Sequence, residues 1–287
     1  MKLIQEDEEL FFKLYNSLLN YVNKKNNVTK NDLNSDDQAK MKVRTILFND
    51  VSIIDAYIKD NPNKFSQENL NIILGWKTHI VDDFIILRQL SKYAIFMLNG
   101  KAYGVVALSM ELGDMVQIPA YVGAILLPFK GRIIYDGLMT ARYITFGGGI
   151  KRGFNEDYNK AKAKYGIITT LETESLDEEA DENEEDLKMM KFYFKSKTNY
   201  ENYSSEIFDL KDKNKVLETE YYQSLGKLFA KPKKKTLRNI IKDKTFFAIY
   251  ENVTVASGKT RAEVEKNVKK VISKDKLNHI YYFDVKN

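Results

Sequence analysis

The chain has no cysteine and only two histidines, His79 and His279, in 287 residues. The first absence removes disulfides, thiolate nucleophiles and cysteine-ligated zinc or iron–sulfur centres together, and it agrees with a reducing compartment. The second removes histidine-rich metal sites, so neither a metal nor a cofactor is expected. Proline is scarce, with four residues, and Trp76 is the only tryptophan. Long apolar runs are missing too: Val122 to Leu127 is continuous but closed by Pro128, far too short to cross a bilayer. The acidic run Glu6-Asp7-Glu8-Glu9 close behind Met1-Lys2 leaves no apolar core for a signal peptide. A cytoplasmic protein with no membrane partner is therefore expected.

What is present is a globular composition. Hydrophobic residues make up 44% and charged residues 30%, enough to bury a core and, at this length, to form two domains. The abundance of Lys, Asn, Ile and Tyr suggests an AT-rich genome, with a bacterium or its phage as the expected source. Net charge is only +5, but its distribution is uneven. Glu172, Glu174, Asp177, Glu178, Glu179, Asp181, Glu182, Glu184, Glu185 and Asp186 form one block. Lys227, Lys231, Lys233, Lys234, Lys235, Arg238, Lys242 and Lys244 form another. This asymmetry is the main functional signal.

The most apolar and most punctuated stretch, Gln117 to Gly149, supplies the spine of the main domain. Val122 to Leu127 predicts a buried strand, Lys130-Gly131 a turn, and Ile133 to Tyr135 a second strand. Asp136-Gly137 reads as a tight hairpin, because both central residues of such a turn take positive φ. A third strand or short helix follows from Leu138 to Phe146. Upstream, Ala94 to Leu98, Asn99-Gly100 and Ala102 to Leu108 spell a hairpin with the preferred Asn-Gly turn.

Three amphipathic helices are predicted ahead of these strands. The first carries Leu10, Phe11, Leu14, Leu18 and Tyr21 and gives way to the polar stretch Asn23 to Asn31; the second is capped by Ser35 or Asp36 and stopped at Asn61-Pro62. The third starts at Ser66 and runs through Ile80, Val81, Phe84 and Leu87. In that helix His79 and Asp83 share a face, an acid–base or metal pair in principle. The predicted class is α+β: amino-terminal helices packed on an antiparallel β-meander, or on that sheet curled into a small barrel, over residues 1–171. An acidic linker over 172–186 follows, then a smaller domain over 187–287. There, helices at Leu187 to Phe194 and Val216 to Phe229 precede a ββαβ unit, whose helix opens with the capping box Thr260-Arg261-Ala262-Glu263.

Two surfaces are candidates for binding. Gly147, Gly148 and Gly149, followed by Lys151 and Arg152, stand before a helix and could take an anion on its first amides. The spacing matches neither a dinucleotide fingerprint nor a P-loop. Lys231, Lys233, Lys234, Lys235 and Arg238, around Pro232, read as an exposed basic loop able to contact nucleic acid or an acidic protein partner. Other local patterns are weaker. Ser257-Gly258-Lys259-Thr260 lacks the first glycine of a Walker loop, Val253 standing in its place. Tyr158 and Lys162 have a dehydrogenase spacing without the parallel sheet that would support it. Asp284-Val285-Lys286 fits the D-x-K element of metal-dependent nucleases, but reads better as a salt-paired strand end. The expectation is a non-enzymatic binding or regulatory accessory protein contacting nucleic acid through the basic stretch. A metal-dependent nuclease or other phosphate-ester hydrolase and a purely protein-binding module are the alternatives.

Overall fold

The structure, a computed structural model, describes residues 1–30, 32–33, 36–142, 144–171 and 178–286. The chain divides into two compact units, Met1–Ser175 and Leu176–Asn287. It is an α+β protein.

In the first unit, α1 (Gln5–Asn26) begins with Glu6, Asp7 and Glu8 and ends with Lys24 and Lys25, both complementing the helix dipole. Its spaced Phe11, Leu14, Tyr15, Leu18, Leu19 and Val22 are buried, and Asn27 stops it by taking φ 49°. The second predicted helix is two. Asp36 caps α2 (Asp37–Asn49) by accepting the Ala39 amide at 2.9 Å, whereas Ser35 lies outside the described residues. Asp50 then breaks the run, its carboxylate accepting the Ser52 amide at 3.1 Å, and α3 (Ser52–Asp60) follows until Asn61. Ser66 caps α4 (Gln67–Gly75) as expected.

From Ile80 the structure departs from the helical reading. Ile80–Gln89 is strand β1, not a continuation of α4. The reason lies in long-range pairing: Ile80 to Ile86 is hydrogen-bonded residue by residue to β4 (Ala120–Phe129), which outweighs any local helical period. His79 and Asp83 consequently share no helical face. The Asn-Gly hairpin is as read: β2 (Ala94–Leu98) and β3 (Lys101–Val106) flank Asn99 and Gly100 at φ 47° and 70°. A short α5 (Leu112–Met115) precedes β4.

The Asp136-Gly137 hairpin does not form. β5 (Arg132–Arg142) runs straight through both residues, and the Lys130-Gly131 turn alone joins it to β4. Gly137 does need its positive φ of 93°, but within a strand, where the register against β4 slips between Ala124 and Leu126. Tyr143, within the predicted third strand, lies outside the described residues. The five strands close into a barrel, the curled form of the expected sheet, in the order β1-β2-β3-β5-β4; one pairing differs from an all-antiparallel meander, β3 joining β5 in parallel at Val105↔Ile133 and Val106↔Ile134. Phe84, Phe96, Val122, Leu126 and Ile133 are fully buried, in a core continuous with α1 to α4. On another face of the barrel α6 (Gly148–Lys164) lays Tyr158 and Ala161 against Ile95, Met97 and Ala102. Tyr158 is thus a packing residue.

In the second unit, α7 (Glu178–Tyr193) covers nine residues of the stretch read as linker, 178–186; residues 172–177 lie outside the described set. Glutamate is a good helix former and acidic residues suit a helix amino terminus, so charge here supports the helix. Asp186 is buried and meets Lys213 Nζ at 2.6 Å. Two short helices, α8 (Lys197–Asn202) and α9 (Ser204–Lys213), lead to α10 (Lys215–Arg238). The ββαβ unit is present: β6 (Thr245–Tyr250), β7 (Val253–Gly258), α11 (Arg261–Val271), a short 3₁₀ segment Lys274–His279 and β8 (Tyr281–Val285). Its sheet order is β7-β6-β8. Thr260 accepts the Glu263 amide at 3.2 Å, while Glu263 reaches back to the Lys259 amide at 2.8 Å.

Gly226 makes the close approach of α10 to β8. A Cβ placed there would stand 2.6 Å from Tyr281 Cβ. Gly226→Ala, which in a free helix would gain about 1 kcal/mol, is therefore expected to destabilise this unit by roughly 1–3 kcal/mol. Hydrogen exchange of the β8 amides checks this; faster exchange is expected, and slower exchange would show that the contact relaxes at no cost.

Candidate nucleic-acid interface

The basic stretch is helix, not loop. Pro232 lies inside α10, where it removes one amide donor and crowds the Leu228 carbonyl. A local helix penalty of about 3 kcal/mol is offset by burial on the opposite side. Ala230 is buried among Phe247, Ile249, Phe283 and Val285, with Phe229 and Leu237 packed against that cluster.

This change of secondary structure reorganises the cations. At 3.6 residues per turn, positions 227, 231, 234, 235 and 238 fall within about 100° of one another around the helix. Lys227, Lys231, Lys235 and Arg238 are exposed there, and Lys234 is half-buried with its ammonium 5.5 Å from the Phe283 ring centroid. Lys233 points to a different side by the same geometry, so it leaves the predicted set. The stripe borders a groove of about 420 Å³. Lys227 and Lys231 of α10 line it together with Lys191 of α7 and Lys195 just past its end, and Phe194 and Tyr281 supply aromatic wall. None of these four lysines forms an ion pair with a described residue. Among the described residues Glu220 is the only carboxylate lining the groove, and it accepts the Ser224 hydroxyl at 2.8 Å.

Sequence reasoning missed Lys191, Lys195, Phe194 and Tyr281. The i,i+4 spacing of the two lysines was visible, but the groove exists only because α7 and α10 pack together.

The glycine stretch offers less. Gly147 is the N-cap of α6, with Gly148, Gly149, Lys151 and Arg152 exposed in its first turn. A Cβ at any of the three glycines would meet nothing within 4 Å, so no cradle surrounds the helix end. Lys151 lines a cleft of about 310 Å³ in which Arg142, Gln117 and Thr145 stand beside Met115, Ile118, Ile144 and Phe146.

Other polar groups have structural partners. Asp284 faces Lys244 at 3.5 Å, a salt-paired strand end. Among the described residues, no group of three or more His, Asp or Glu side chains is placed to hold a metal. His279 is buried and stacked on Tyr222, ring centroids 4.3 Å apart. Trp76 is buried between Phe11 and Tyr15.

The most perturbed ionisable cluster sits under the helical layer of the first unit. Asp136, almost completely buried, accepts from Arg44 Nε and, at 2.9 Å, from Arg44 Nη2; the Tyr15 hydroxyl donates to it at 2.8 Å. Perturbed groups often mark active sites, but here Asp136, Tyr15 and Arg44 are all buried, and of the three Arg44 alone reaches the lining of a cleft, beside Asp82, Asp83 and Arg142. Burial first, and then the Asp136 charge, push the Tyr15 hydroxyl well above its ordinary 10.0. The native state thus keeps a proton that the unfolded chain releases above pH 10. The stability this contributes is complete below pH 10 and declines as pH rises beyond it. Tyr15→Phe is expected to lose less stability than the wild type between about pH 9 and pH 11 by urea unfolding. Parallel losses would show that Tyr15 does not titrate in the unfolded chain's favour.

No protein-family model, curated protein or solved structure matches the chain. Among the described residues, no helix is long and apolar enough to cross a membrane.

Proposed function

We propose that the chain is a non-enzymatic accessory protein that binds nucleic acid through the basic groove of its carboxy-terminal unit. One observation carries this reading: four exposed lysines, Lys191, Lys195, Lys227 and Lys231, line one groove that has aromatic wall, and the exposed Lys235 and Arg238 continue the stripe along α10. Cations on one side, without ion-pair partners among the described residues, engage phosphates cooperatively and release their counterions. A structural role would pair them with acids, as Lys213 and Lys244 are paired. The protein would act in the cytoplasm by occupancy, without turnover.

The test is binding of labelled mixed-sequence oligonucleotides across a salt series. If all six cations engage a single strand, the slope of log K against log salt is about −4, a loss of roughly 300-fold between about 50 and 200 mM salt. Absence of binding at low salt would remove this reading.

A further inference from the structure

Resting on that reading, we propose that the groove takes single-stranded rather than double-stranded nucleic acid, with a base laid against the Phe194 and Tyr281 wall between two rows of lysines.

The shape of the site argues for this. A duplex presents phosphates outward and keeps its bases stacked inside, so it gains most from a convex basic ridge that enters a groove of the nucleic acid. Here exposed lysines border a groove instead. α10 supplies Lys227 and Lys231, and the other side is supplied by Lys191 of α7 and Lys195 just beyond its end. The space between them, about 420 Å³, suits a unit the size of one nucleotide and is too small for a double helix. Surfaces that track single strands combine a positive groove with aromatic rings, because every base has a face that stacks. Half-buried Tyr281 provides such a ring, and Phe194, buried against Tyr200 and Tyr221, adds to the same wall; both line the groove that the four lysines line. The pocket also carries hydrogen-bonding groups away from the lysine ammoniums. Ser224 donates to Glu220 at 2.8 Å, which leaves the second Glu220 oxygen available to accept from a base N–H. The Gln223 side chain is already committed, its Nε2 donating to the carbonyls of Asn278 at 2.6 Å and Ile280 at 2.8 Å. Those bonds tie α10 to the start of β8 and hold Tyr281 in place.

The test is competition for a labelled single strand by unlabelled single-stranded and duplex forms of the same sequence and length, on the full chain. The single strand is expected to compete at least about tenfold better. Tyr281→Leu, which keeps a Cβ against Gly226, is expected to weaken the single strand roughly tenfold while leaving the salt slope unchanged, because stacking releases no counterions. If that variant melts below the wild type, Lys191→Gln with Lys195→Gln replaces it, and the single-strand slope should become shallower by about one unit or more. A duplex that competes equally or better overturns the inference while the nucleic-acid reading stands. So does wild-type single-strand binding by a properly folded Tyr281→Leu. Binding of neither form defeats the broader reading, and this inference with it.

Discussion

Arg44→Met is expected to destabilise the amino-terminal unit by roughly 3–5 kcal/mol, because it strands a buried carboxylate without its cation. Arg44 lies on α2 and Asp136 on β5, so their pair ties the helical layer to the barrel at a buried point. The guanidinium also donates to the Leu138 carbonyl at 3.2 Å, and the Tyr15 hydroxyl of α1 completes the shell. Burial pushes the Asp136 carboxyl up from 3.8, and Arg44 is the main influence pulling it back. Without Arg44 the neutral carboxyl becomes the better buried form. The native state then holds a proton that the unfolded chain lacks at neutral pH, so stability falls as pH rises through the raised native value. The loss caused by Arg44→Met should therefore be larger near pH 8 than near pH 5. Trp76, the only tryptophan and buried in this unit, reports its unfolding. Adding Asp136→Leu and Tyr15→Phe to Arg44→Met should recover much of the loss, since replacing a whole buried polar group costs far less than breaking it. A loss that is the same at both pH values would show that Asp136 stays ionised without its partner.

The same cluster shows where sequence reasoning stopped. Asp136-Gly137 carries the local signature of a hairpin, and no local rule reveals that the aspartate is paired with an arginine 92 positions away. The Asn99-Gly100 and Lys130-Gly131 turns were legible because nothing distant competes with them. Ile80 to Gln89 was misread for the converse reason: its apolar positions suit either period, and pairing with β4 decides. The closed barrel needed the parallel β3–β5 pair, which unites segments that local turn chemistry cannot connect.

The candidate site was half legible in the same way. Clustered lysines around Pro232 were evident, but the proline suggested a loop, and a loop has no faces. Once Ala230 and Leu237 anchor the stretch as helix, spacing sorts its cations into a stripe, excludes Lys233 and brings Lys227 in. The partners from α7 and β8 come from packing alone.

The measurement that tests the central claim most directly is the salt dependence of single-strand binding by the variant carrying Gln at Lys227, Lys231, Lys235 and Arg238. Removing four phosphate contacts should reduce the slope by about three units and weaken binding by roughly 600-fold at about 0.1 M salt. Lys233→Gln, off the stripe, should change the slope by well under one unit. A fourfold variant that binds with the wild-type affinity and slope would contradict the account and place any nucleic-acid contact elsewhere on the protein.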